Sequence, residues 1–393
     1  QAYLVASSLA RSSSTSSLFA VMPGDLQNGQ GRKRGRAEYP APRDGIDWGG
    51  LGFGFTTRDT TMVVAKHVGG EWGPLKAEPY GKIPIEPAST VLNYGQGIFE
   101  GVKAHRTKKG RIVIFRPQAN AERFNTSAKQ FLMPAMSEDF FLQGLGLVVR
   151  ENAAWVPPCG EGALYLRPLL IGTGPDLGVQ PSSEYLFVLY AAPVGKYFKG
   201  DGARLKIIHE QHRAAPGGVG HIKCCGNYAP CFEAQRDAKK EGFSDVLYLD
   251  SRCEYIEEAA ASNFFCLTAD GLLFTPELGS ILPGITRDCI LKLARHLIKA
   301  KAAGEKGPAM LRSVKEGQVS VSTALSADEA FLTGTGAGIV PISHIQPGTR
   351  TSRARDYPSP GPLADLLSKM LTDIRLEDTP DLFGWLYDPF DTL

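Results

Sequence analysis

Several features that would tie a chain to a membrane, a nucleic acid or an oxidising compartment are missing here. No run of eighteen apolar residues occurs in the 393 positions, so no bilayer-crossing helix is expected. The net charge is only +2, which gives no general attraction for nucleic acid. The one basic cluster, 31–36 (GRKRGR), lies among Ser, Gly, Asn and Gln and reads as a solvated patch. Cysteine is sparse, seven in all and without a C-x-x-C pair, which argues against a disulfide framework and a structural zinc site, so no metal is expected. Cys224 and Cys225 read as small apolar filler. Acidic residues are absent before Asp25, where the chain is Ser-rich and carries Arg11. Residues 1–45 therefore read as a disordered leader resembling an organelle transit segment, for a mitochondrion or plastid, with a plain disordered tail and a cytosolic location as the alternatives.

What is present is enough apolar sequence, 43%, to bury a sizeable core in two domains. Branched apolar runs predict strands at 111–117, 163–173, 184–193, 204–210, 245–250 and 263–268, with further β-structure in the segment 51–73. Helical spacing predicts helices over 120–133, 228–241 and 285–300, the last with Ile290, Leu293, Ala294 and Leu297 on one face. Strands and helices alternate in both halves, which gives an α+β chain of two α/β-type domains. The boundaries are drawn as a small domain over 46–193, a linker over 194–203 and a large domain over 204–393.

One lysine stands out. In GGVGHIKCCGNY (217–228), Lys223 follows a Gly-rich turn. Schiff-base chemistry needs such an amine, able to shed its proton, beside backbone N–H groups that hold a phosphate. Alone the signal is weak, because a lysine after a glycine turn is ordinarily a surface residue and the P-loop spacing is missing.

Further segments stand in fixed order around it. YGQGIFEGVK (94–103), NAERFNTSAK (120–129), KCCGNY (223–228), EEAAASNF (257–264), LPGITRD (282–288) and TGTGAG (333–338) together resemble the class IV aminotransferases, most closely the branched-chain enzymes. The resemblance runs from about Leu51 to GWLYD (384–388). It implies the D-amino-acid-aminotransferase-like fold type IV, pyridoxal 5'-phosphate (PLP) between two domains, and a homodimer that completes each pocket. It also implies a ping-pong exchange of the amino group between Leu, Ile or Val and 2-oxoglutarate, in amino-acid biosynthesis or degradation.

By the same resemblance, Lys223 is the Schiff-base lysine and proton shuttle. Glu258 pairs with the pyridine nitrogen and keeps it protonated, and Tyr228 donates to the ring hydroxylate. Arg123 clamps the phosphate, Thr335 adds a contact to it, and the Gly336 N–H faces the substrate carboxylate. Ile285 and Thr286 have independent physical support, since free N–H groups and the dipole at a helix start favour a dianion. Without the family, Glu258 is a solvated acid at a strand edge and Arg123 a surface arginine.

Phe53, Tyr94, Phe99 and Tyr165 match aromatic pocket positions suited to branched side chains, though singly each aromatic reads as core. Arg167 and Lys103 match basic positions that help admit glutamate or 2-oxoglutarate. Val179 matches a loop contributed by the neighbouring subunit. Two departures stand out: Ala259–Ala261 removes a hydroxyl often found at position 261, and Gly336 replaces a usual Ala. Other class IV enzymes, a D-amino-acid aminotransferase or an aminodeoxychorismate lyase, share the Lys and Glu. More distant rivals are a nicotinamide-dependent dehydrogenase, suggested by TGTGAG but lacking a G-x-G-x-x-G helix start, and a non-catalytic binding protein on the same fold.

Overall fold

A computed structural model describes residues 39–195, 200–304, 307–348 and 353–391. Most of the leader (1–38), the basic cluster within it and part of the expected linker (196–199) lie outside the described residues.

Two sheets organise the rest. Nine strands form the first, all paired antiparallel, with Ala163–Gly172 and Tyr185–Val194 at its centre in a ten-pair register from Ala163↔Val194 to Gly172↔Tyr185. Nine of the ten residues in Tyr185–Val194 are buried, as a near-continuous apolar run requires when both faces are covered. The helix Glu138–Glu151 covers one face with Phe141, Leu145, Val148 and Val149. Ser137 caps it by accepting from the Phe140 N–H (3.1 Å), and Glu138 and Asp139 favour the same helix end. A second helix, Pro117–Gln130, starts with proline at N1 after Arg116 at φ 51°. It buries Ala121, Phe124 and Ala128 toward the core and Asn120, Arg123 and Ser127 as well, so one element serves core and site together.

The second sheet mixes parallel and antiparallel pairs. Ala203–Ile208 pairs in parallel with both Asp245–Leu249 and Gly338–Gln346, and the remaining ladders are antiparallel apart from Leu272–Pro276 with Ser313–Gly317. Tyr255–Ala259 meets Asn263–Leu267 through a single pair, Glu258↔Asn263, which closes six strands into a ring and fixes Glu258 at the closure. The last strand, Leu386–Tyr387, returns to the first sheet beside Ile112–Phe115. These mixed sheets and helices are the α+β class expected.

Element boundaries differ from expectation where backbone chemistry intervenes. The helix expected over 228–241 is confined to Phe232–Lys240 and preceded by two 3-10 turns, Cys225–Asn227 and Ala229–Cys231, because Pro230 brings no N–H to an α-helical ladder. Within 51–73, only Thr61–Val68 and Glu71–Trp72 are strand.

Candidate active site

Lys223 is held by its backbone before its side chain is considered. Its N–H donates to Ser127 Oγ (3.0 Å) and its carbonyl accepts from the Phe99 N–H (3.0 Å), while Ile98 bridges Cys224. The segment therefore lies antiparallel to Gly97–Phe99 through an isolated bridge. The ammonium then reaches into a cavity of about 500 Å³, donating to Tyr228 Oη (2.9 Å) and lying 4.7 Å from the centre of the Phe99 ring.

Across the cavity sits Glu258, only 2% exposed. Its carboxyl has long contacts alone: the Leu282 N–H and Asn263 Nδ2 at 3.4 Å, and Arg213 Nη1 at 3.7 Å. Burial pushes its pKa up to about 7, against the lowering effect of the Arg213 guanidinium. A buried acid this weakly compensated suits a cationic partner such as a protonated ring nitrogen. Gly284 is the N-cap of the helix Ile285–Ala302 and supplies no side-chain cap, so the first-turn N–H groups of Ile285 and Thr286 point outward without helical partners. Asn263 requires that glycine, because a Cβ at position 284 would collide with its Oδ1. A phosphate dianion fits these amides.

The remaining wall is aromatic and cationic. Phe53 and Tyr165 meet edge to face at 5.1 Å, Phe99 and Tyr228 tilt together at 5.1 Å, and the Arg167 guanidinium lies 4.6 Å from the Phe99 ring centre while donating to Tyr165 Oη (3.2 Å). Thr335 and Gly336 come from the turn between the strands Glu329–Gly334 and Gly338–Gln346 and line the same space. This arrangement can hold a phosphorylated aromatic group, place an amine against it and face an apolar substrate arm.

Residues 97–345 match the family described as amino-transferase class IV. The chain belongs to that family. The branched-chain-amino-acid aminotransferase 3, chloroplastic, of Arabidopsis thaliana is 40% identical over 86% of this chain and 80% of its own length. The branched-chain-amino-acid aminotransferase of Helicobacter pylori is 37% identical over 88% and 98%. Among solved structures, the Escherichia coli branched-chain amino acid aminotransferase superposes with TM-score 0.66 at 27% identity over 84% of this chain and 99% of that one. The T.th. branched-chain amino acid aminotransferase with pyridoxamine 5'-phosphate gives 0.68 at 26% over 85% and 100%. The two-domain fold type IV class IV architecture expected from the motifs is the one these structures share with this chain.

In this class IV family member, twelve of the fifteen sequence-predicted positions line the one cavity: Phe53, Phe99, Arg123, Tyr165, Arg167, Lys223, Tyr228, Glu258, Ile285, Thr286, Thr335 and Gly336. Three do not. Tyr94 is 40% exposed and donates to the Leu177 carbonyl (2.5 Å), and Val179 nearby is 88% exposed. Lys103 lies behind the Gly336 turn, donating to the Gly336 carbonyl (2.9 Å) rather than facing the cavity. Ala261 lines the cavity without a hydroxyl, but Ser262 beside it lines it too.

Two functional neighbours escaped the sequence reading. Glu100, fully buried, accepts from Arg123 Nε (2.7 Å) and Nη2 (2.8 Å) and from Asn120 Nδ2 (2.7 Å). Burial would raise its carboxyl, but the Arg123 charge and hydrogen bonds hold it below the usual carboxylate range. An acid inside the otherwise apolar and glycine-rich segment GQGIFEG was the available signal. Arg213, which faces Glu258 and lies 5.3 Å from the Tyr228 ring centre, left no such signal.

Proposed function

We propose that the protein is a branched-chain-amino-acid aminotransferase that uses pyridoxal 5'-phosphate to move an amino group between Leu, Ile or Val and 2-oxoglutarate in two ping-pong half-reactions. One observation carries the reading: the Lys223 amine, the buried Glu258 carboxyl and the uncapped amides of Ile285 and Thr286 face one cavity of about 500 Å³ with aromatic walls. The names of the relatives, over most of the chain, support the same substrate class.

Bound there, the cofactor supplies an electron sink for the pair left when a proton leaves the substrate Cα. Lys223 Nζ would take that proton and deliver it to the cofactor C4′ position, and would carry it the opposite way in the second half-reaction. Tyr228 Oη, which accepts from Lys223 Nζ, would donate to the ring hydroxylate. Glu258 holds the proton of the ring nitrogen, for which its burial and weak hydrogen bonding leave it free. The amides of Ile285 and Thr286, with Thr335 and Arg123, take the phosphate. Arg123 does so while its Nε and Nη2 remain on Glu100, which makes Glu100 a positioning residue for that clamp. Phe53, Phe99 and Tyr165 receive the branched side chain, Arg167 the second carboxylate of the acidic substrate, and the Gly336 N–H the α-carboxylate. The same reading takes 46–193 and 204–393 as domains joined by 194–203, places Tyr94 and Val179 at the pocket of a second copy in a homodimer, and assigns the chain to a plastid or mitochondrion, where relatives are named. Lys103 is left with a part only through Gly336.

The test is an absorbance spectrum of the purified protein before and after leucine is added without a keto acid. Loss of a visible cofactor band and gain of a near-ultraviolet band supports the reading. A protein that gains no band with added PLP sinks it, and a band that leucine leaves unchanged sinks the substrate class.

A further inference from the structure

A second cavity, about 790 Å³, lies on the other side of the turn carrying Gly336 and Ala337, which line both spaces. Three basic side chains line it: Lys103 and His105 from the strand Val102–Arg106, and Arg375 from the end of the helix Pro362–Arg375. None has an acidic partner among the described residues. His105 Nε2 and Arg375 Nε are buried without any hydrogen bond, and Lys103 Nζ donates to the Gly336 carbonyl and lies 5.8 Å from the Phe53 ring centre. The other polar contact of the His105 ring is with the Gly162 backbone. The Arg375 guanidinium lies 4.6 Å from the Phe115 ring centre, with the Cys289 thiol as the polarisable group near it. Glu161, an acid on the wall of this cavity, is exposed.

The three side chains are half-buried, and basic nitrogens shut off from water are ordinarily paired. Here burial pushes Lys103 down to about 7 and Arg375 down to about 10, and their mutual repulsion adds to the effect on Lys103 and His105. Such a cluster lacks the negative charge that would make it favourable. A small oxyanion supplies that charge and accepts from several N–H donors at once.

We propose that Lys103, His105 and Arg375 form a second binding site, for a small oxyanion, separated from the cofactor pocket by the Thr335–Ala337 turn. The site is independent of the transaminase reading, since it uses no group assigned to the chemistry beyond the Lys103 contact with Gly336. Thr286 and Thr335, which face both the cofactor pocket and the narrow space leading to these cations, mark the shared wall.

The experiment is calorimetric titration of the cofactor-loaded protein, whose phosphate subsite is already filled, with inorganic phosphate and separately with malonate. One site per chain is expected, with uptake of protons near neutral pH seen as a heat that depends on the buffer, because the anion raises Lys103 and His105 back toward their charged forms. Arg375→Gln should weaken binding by about tenfold or more. The two titrants separate a phosphate site from a carboxylate site, and tight binding of either one supports the proposal. No binding of either up to ~10 mM, binding without proton uptake, binding unchanged in Arg375→Gln, or a shift of the visible cofactor band on titration would each overturn it. Should Arg375→Gln not fold, proton uptake by the unsubstituted protein still decides.

Discussion

Two charge clusters lie within a few residues of each other on the chain and are resolved in opposite ways. Glu100 and Arg123 form a closed pair, two-pronged and joined by Asn120, with no charge left over. Lys103, His105 and Arg375, contributed partly by the very next strand, bring together basic side chains with orphaned nitrogens and no acidic partner among the described residues. In the first the fold itself supplies the counter-charge; in the second it comes only from outside. Glu100 and Arg123 are buried whereas Lys103, His105 and Arg375 are half-buried, and it is the identity of the neighbours that separates a compensated pair from an uncompensated cluster.

The sharpest tests begin inside the cofactor pocket. Lys223→Ala should reduce steady-state turnover by ~10⁴-fold or more, since both the anchor and the proton carrier are removed; ordinary turnover in that variant would take Lys223 out of the mechanism. Glu100→Ala would strand the Arg123 guanidinium and should cost about 3–5 kcal/mol in denaturant unfolding. The double variant with Arg123→Met should recover part of that loss, and a single variant as stable as the parent would show that the pair contributes nothing.

Glu258 gives a pH signature with a definite sign. Its folded pKa of about 7 lies above the ordinary 4.5, so the folded cofactor-free protein binds the proton more tightly than the unfolded chain. That contribution is complete below pH ~4.5, declines as pH rises toward 7 and is gone above it, a span of about 3 kcal/mol. Glu258→Gln should flatten this slope in melts of the cofactor-free protein between pH 5 and 8, and should also slow Cα proton removal by ~10²-fold or more. An unchanged slope would place the carboxyl in better-solvated surroundings. The smallest effect inverts the second test: Arg375→Met keeps the stem against Phe115 but removes an uncompensated charge, and should stabilise the protein by about 1 kcal/mol in anion-free buffer. Destabilisation there would mean that Arg375 has a partner of its own.

The helix Ile285–Ala302 was legible almost to the residue, because its apolar stripe, the preceding Leu-Pro-Gly turn and its basic end agree. The helix Glu138–Glu151 was not. Gly144 and Gly146 interrupt its pattern, and its burial against Leu75, Phe187 and Leu189 rests on contacts no local window contains. Arg123 shows the same limit within a helix that was legible. Its spacing beside Phe124 fits a surface position as well as a buried one, and only the arrival of Glu100 and the Pro283 carbonyl (3.0 Å) makes it interior.

The sequence alone determined the chemistry on offer: a lysine, an acid, a tyrosine and a glycine-led helix start in an order specific enough to identify a family, together with the strands and helices that carry them. Tertiary structure decided which of those groups share a space. It brought Phe53 and Glu258 to one cavity, held Lys103 behind Gly336, left Tyr94 and Val179 facing outward, and gathered three basic side chains from two distant elements without an acidic partner among the described residues. Local propensity acts over a few residues, whereas electrostatic compensation in a low-dielectric interior depends on every charge within several ångströms, whatever its position along the chain.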